Sequence, residues 1–135
     1  MASRDIRDLS PFLQRVFFNM NSWYQRHFKY RHLILTCTYR SVTEQYKLYC
    51  QGRVTKGPVV TYIDGITKKS MHNYRPSEGG ARAFDFAVVI RGKARWDKKY
   101  YDPCWLFFRE AHLTRKIRWG RDFKNFSDFP HIQEV

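Results

Sequence analysis

Apolar residues recur every three or four positions through Phe12, Val16, Met20, Trp23 and Tyr24, the spacing that keeps them on one face of a helix. Ser10-Pro11 supplies a capping hydroxyl and then a residue with no amide hydrogen to satisfy, so the helix is predicted to begin there. Residues 33–39 form a continuous, partly β-branched run, Leu-Ile-Leu-Thr-Cys-Thr-Tyr, which predicts a buried strand. Ser41-Val42-Thr43-Glu44 is a capping-box pattern and predicts a second helix over 42–51, stopping at Gly52. Over 52–80 no period is sustained, and Gly, Pro, Lys and Ser predict an irregular surface stretch. Alternation returns over 82–90. Phe84, Phe86, Val88 and Ile90 share one face of this strand, while Ala83, Asp85, Ala87 and Val89 share the other. Asp102-Pro103 reads as an N-cap and first residue of a third helix continuing through Trp105, Leu106, Phe108 and Leu113. From Ile117 onward the pattern is strand, turn, strand. The expected fold is α+β: a single compact domain over 1–135, with a small antiparallel sheet flanked by about three helices.

Composition narrows the picture further. With 135 residues and 16.4 kDa, the chain has room for one core and not two. Its 25 Lys and Arg against 12 Asp and Glu leave a net charge of +13, which attracts polyanions without choosing among nucleic acid, an anionic cell wall and acidic lipid. An aromatic content of 18% supplies buried area that a disordered chain lacks. Cys37, Cys50 and Cys104 are odd in number and far apart, so they are expected to be reduced thiols serving as small core residues. No long apolar run is present, and the first residues mix Arg4, Asp5, Arg7 and Asp8, so neither a secretory signal nor membrane insertion is expected.

Three polar residues sit where a packed core would exclude them: His72, Asp85 and His131. Two imidazoles and a carboxylate form a three-ligand set that leaves the fourth tetrahedral position of zinc to water, as a hydrolytic centre requires. Ala83 and Ala87 flank Asp85 on its own strand face and leave room beside it. Taken singly, each His also reads as a hydrogen-bonded structural residue and Asp85 as the partner of an arginine. Asp128 likewise reads as a turn residue in Ser127-Asp128-Phe129-Pro130.

The order of motifs goes further than spacing. Thr38-Tyr39-Arg40-Ser41 with Glu44-Gln45, Leu48-Tyr49-Cys50-Gln51-Gly52-Arg53, Ser70-x-His72, Ala83-x-Asp85, Trp119-Gly120-Arg121-Asp122-Phe123 and Asp128-Phe129-Pro130-His131 follow one another in this chain. In that order they closely resemble the zinc D-alanyl-D-alanine carboxypeptidase and L-alanyl-D-glutamate peptidase family, and within it phage endolysins that cut peptidoglycan stem peptides. The resemblance spans about 33–133. It implies a zinc site on the sheet with His72, Asp85 and His131 as ligands, Asp128 as catalytic base and Arg40 beside the scissile carbonyl. Ser70 and Gln45 would then lie at the substrate, although Ser70 alternatively orients His72.

The implied partner is the peptidoglycan stem peptide, and the implied enzyme is a monomer with no separate wall-binding module and no nucleic-acid partner. It would accumulate in the host bacterial cytoplasm and reach the wall once the inner membrane is permeabilised. Two rivals remain at this point, a D-alanyl-D-alanine carboxypeptidase with the same metal site and a basic nucleic-acid-binding module. The chain departs from the family pattern in a longer link between His72 and Asp85, in Ala81 where Gly is common, and in Arg121 and Phe123 where Gly and Trp are usual.

Overall fold

In the computed structural model, which describes residues 2–123 and 127–135, the Ser10 hydroxyl accepts a hydrogen bond from the Leu13 amide (3.3 Å) and starts α1, Pro11–His27. The stripe predicted from the sequence faces inward, widened by Leu13 and Phe17, while Phe12 is half-buried. Strand β1, Arg31–Cys37, begins and ends two residues earlier than the 33–39 run. Thr38 and Tyr39 leave the sheet because their backbone groups bond instead to Ser3: Thr38 N to Ser3 O at 2.7 Å and Ser3 N to Tyr39 O at 2.8 Å. Helix α2, Val42–Cys50, carries the full capping box, with the Glu44 amide donating to Ser41 Oγ (3.1 Å) and the Ser41 amide donating to Glu44 Oε1 (3.0 Å).

The 52–80 stretch is irregular as expected, apart from short 3-10 turns, of which Met71–Asn73 carries His72. A further 3-10 turn, Pro76–Glu78, lies in the long link, where Glu78 accepts from Lys69 Nζ (2.6 Å) and Arg75 Nε (3.2 Å). Beyond it, Gly80 has φ of +91°, and a side chain there would collide with the Leu9 carbonyl. That close approach is where Leu9 bridges Ala81, so the longer link is tied to the start of the chain and does not shift β2, Ala83–Ile90.

A hairpin not foreseen in the sequence follows. Arg91 and Gly92, both at positive φ (50° and 83°), turn the chain into β3, Lys93–Arg95, which pairs antiparallel with β2. The Asp102 cap needs correcting. Helix α3, Lys98–Tyr101, already precedes it, Asp102 has helical angles (φ −50°, ψ −38°), and α4, Cys104–Glu110, starts without a side-chain cap. Helix α4 also ends before Leu113, and it buries Cys104, Phe107 and Phe108 at helical spacing while Trp105 and Leu106 face outward.

Strands β4, Ile117–Trp119, and β5, His131–Glu134, bear out the predicted strand, turn, strand, with 124–126 of the connection lying outside the described residues. The antiparallel sheet has the order β1-β2-β5-β4, and β3 joins the same edge of β2 as β5, one further along the strand. Phe84, Phe86 and Val88 turn one face of β2 onto α1 and α4, with the Phe17 and Phe84 rings edge to face at 5.5 Å. The opposite, small-residue face is left for Asp85.

Candidate functional site

Register places the acid. Asp85 pairs with Cys37 of β1 on one side and His131 of β5 on the other, so these three side chains share one face at one end of the sheet. His131 Nδ1 lies 2.8 Å from Asp85 Oδ1. The 3-10 turn carrying His72 packs over this face and sets His72 Nε2 3.3 Å from the same oxygen. Ser70 caps that turn, accepting the His72 amide at 3.2 Å, and the His72 and Arg40 main chains are tied by an Arg40 N to His72 O bond of 2.9 Å. Asp128 joins Asp85 and His131 in a cluster whose ligand atoms lie within 4.8 Å of one another; Cys37, His72 and Asp85 form a second such cluster. Asp85 is common to both.

The hydrogen bonds on the far side of each ring decide what the near side offers. His72 Nδ1 lies 2.8 Å from the Thr38 carbonyl, which can only accept, so the proton of the neutral ring belongs on Nδ1 and Nε2 carries a lone pair. His131 Nε2 lies 2.8 Å from Gln133 Oε1, which leaves its Nδ1 as the lone-pair nitrogen. Two imidazole lone pairs therefore converge on a carboxylate oxygen, and His72 Nε2 is buried without a hydrogen bond. Such an arrangement is repulsive unless positive charge lies between the groups. A cation accepting from His72 Nε2, His131 Nδ1 and Asp85 satisfies all three, and this N, N, O donor set suits zinc.

Without a cation between the groups, a proton on His72 meets the same requirement. Burial alone would lower the His72 pKa, but the Asp85 charge overrides it and raises it to about 10. Burial would raise Asp85, yet His72 and then His131 hold it well below the usual carboxylate range. Asp128 is pushed up, first by burial and then by the negative charge of Asp85.

The other residues expected at the site are brought near it in different ways. The Arg40 guanidinium donates to Gln45 Oε1 (2.8 Å) and lies 3.7 Å from Asp85 Oδ2. Gln45 is buried, its amide nitrogen donating to the Ile63 carbonyl (2.8 Å), so it faces Arg40 and not the open groove. Ser70, His72, Asp85, Asp128 and His131 do line a groove of about 1050 Å³, rimmed by the cations Arg40, Lys68, Lys69 and Arg118. Phe123, at one of the departures from the family pattern, forms part of its wall and packs on the His131 ring at 5.6 Å.

Sequence reasoning missed Cys37 and Gln133. The Cys37 thiol is buried as expected of a core residue, but it lies 3.6 Å from His72 Nδ1 and 3.4 Å from Arg40 Nη2. Gln133 was accessible to strand reasoning, since it follows His131 by two and so shares its face. Cys37 sent no such signal, because its neighbours come from other elements.

Fold and site together define a small α+β protein with a candidate metal centre at one end of its sheet. The chain is 37% identical over 109 residues to the peptidoglycan L-alanyl-D-glutamate endopeptidase CwlK of Bacillus subtilis (strain 168), covering 76% of this chain and 60% of that protein. These findings support the resemblance to the D-alanyl-D-alanine carboxypeptidase and L-alanyl-D-glutamate peptidase family that the motif order carries, and the chain spans about three-fifths of the length of this relative. The fold is similar to the crystal structure of Serratia marcescens L-Ala D-Glu endopeptidase ChiX, with a TM-score of 0.63 and 19% identity over 100% of this chain and 89% of the other. No family model matches the sequence.

Proposed function

We propose that the protein is a zinc-dependent peptidase that hydrolyses the L-alanyl-D-glutamate bond of peptidoglycan stem peptides and acts as a phage endolysin. The observation that carries this reading is the convergence of His72 Nε2 and His131 Nδ1 on Asp85, with Asp128 alongside, in a groove rimmed by cations. The homology to CwlK supports the choice of bond, and the resemblance in motif order supports the endolysin role. His72, Asp85 and His131 would hold the ion, which when bound would polarise a carbonyl and acidify water.

The remaining chemistry belongs to the chain's own side chains. Asp128 accepts the proton of the attacking water on a carboxylate oxygen and returns it to the departing amine, and its raised pKa brings it nearer to working pH for both transfers. Arg40, anchored through Gln45, offers a permanent positive charge to the oxyanion that develops during attack. Ser70 fixes the turn that aims His72. The cationic rim suits a stem peptide that carries free carboxylates.

Mass spectrometry of fragments released from purified peptidoglycan tests the reaction. New amino-terminal D-glutamate is the expected product, whereas release of D-alanine alone identifies a carboxypeptidase. Gly120 provides a second check on the base. Its backbone lies so close to the Asp128 carbonyl that a methyl group there must displace the Asp128 segment. Gly120→Ala is therefore expected to lower turnover about 100-fold, as a misplacement of roughly 1 Å does, with the melting profile followed alongside.

A further inference from the structure

Eight of the 25 Lys and Arg lie in the stretches 26–32 and 91–99 with a single acid, Asp97, so 16 residues hold +7 of the net +13. The sheet draws both stretches together at the end opposite the candidate site. Arg31 pairs with Ile90, and Ile90 pairs with Lys93 across the hairpin, whereas Asp85 lies at the other end of β2. Among the described residues none of the eight is ion-paired with an acid. Crowded like charges repel, and a polyanion would relieve them.

The same end presents aromatic faces. Tyr30 is 71% exposed and Trp96 51% exposed. The Arg91 guanidinium stands over the Tyr30 ring at 4.7 Å, and Arg31 over Phe28 at 4.9 Å and Tyr100 at 5.1 Å. Between them runs a cleft of about 420 Å³ lined by Phe28, Tyr30, Arg31, His32 and Arg91. Tyr30 and Arg91 both hold positive φ (63° and 50°), strain retained at an exposed turn closed by the Arg91 amide on the Tyr30 carbonyl (3.1 Å).

We propose that this end of the sheet is a second binding surface for peptidoglycan, gripping a neighbouring segment of the polymer whose stem peptide lies in the catalytic groove. The inference rests on the proposed function. Guanidinium and ammonium groups match the carboxylates of stem peptides, and exposed rings match the apolar faces of sugars, so the mixture fits a glycan with acidic peptides better than a plain polyanion. Arg91 follows Asp85 by six residue steps along β2 and into its turn, a distance of roughly 20 Å, so one polymer reaches both surfaces and the second contact becomes intramolecular.

Co-sedimentation with sacculi stripped of accessory phosphodiester polymers, run in the cold over minutes, tests this alongside cleavage of a soluble stem peptide. Two variants are compared with the wild type: Lys29→Gln/Arg91→Gln/Lys93→Gln/Lys99→Gln, and Tyr30→Asn, since Asn tolerates the left-handed conformation. The quadruple variant is expected to bind sacculi about tenfold more weakly and Tyr30→Asn several-fold more weakly, with soluble-peptide kcat/KM unchanged in both. Unchanged sacculus binding by both variants overturns the proposal. So does wild-type binding that disappears once the phosphodiester polymers are removed, or that is weaker than binding to DNA. A wild type that fails to cut the soluble peptide but still binds sacculi through these residues refutes the proposed activity and leaves this surface standing.

Discussion

His72→Ala and His131→Ala are each expected to lose most bound zinc and nearly all peptidoglycan cleavage. Removing either ring leaves one imidazole and one carboxylate, and two protein ligands do not hold an ion that needs three and an open position. The loss at His72 should be the cleaner of the two. Its ring is buried and its Nδ1 is already committed to the Thr38 carbonyl, so Nε2 has no other task in the described structure. Zinc content of the purified variants, measured beside the rate of cleavage, checks the assignment, and full occupancy in either variant would falsify it. The fold should survive, because the sheet packs through Phe84, Phe86 and Val88 on the face away from these ligands. Circular dichroism of the metal-free protein tests that separately.

Asp128→Asn should keep both zinc and fold while lowering turnover by a factor of roughly 100 or more, the usual effect of removing a general base. Asp85→Asn should lose zinc affinity and activity together. Asp85 is the one acid shared by both candidate clusters, flanked by Cys37 and His131 in the sheet, and its charge is what the two imidazoles face. A neutral amide there is a poorer ligand, and it also leaves the Arg40 guanidinium, 3.7 Å away, without its acid. Asp128 instead lies beside the Gly120 turn, where its carboxyl can take up a proton without dismantling the ligand set. Zinc stoichiometry and cleavage rate for the two variants separate the roles. Metal lost from Asp128→Asn and kept by Asp85→Asn would mean that the two carboxylates have been exchanged.

Some of this was legible from local chemistry. Ser10 and Ser41 cap the helices their sequences announce, because a capping hydroxyl acts on amides only three residues away. Asp102 misled for the complementary reason: a residue that looks like a cap does nothing when the preceding chain is already helical. The Arg91-Gly92 hairpin escaped notice because a non-glycine residue at positive φ carries little sequence signal.

By itself the sequence determined the α+β class, the small-residue face of β2 that leaves Asp85 room, the order of the family motifs and the total charge. Those properties follow from local spacing, from the order of short motifs along the chain or from composition, and they need no knowledge of where distant segments meet. Tertiary structure alone decided that Asp85 stands between Cys37 and His131, that His72 presents Nε2 and His131 Nδ1, and that the basic stretches 26–32 and 91–99 converge at the far end of the sheet. Asp85 and His131 are 46 positions apart, and their meeting is set by strand register. Register depends on which faces pack together across the whole core, and a slip of one residue would send every one of these side chains to the opposite face.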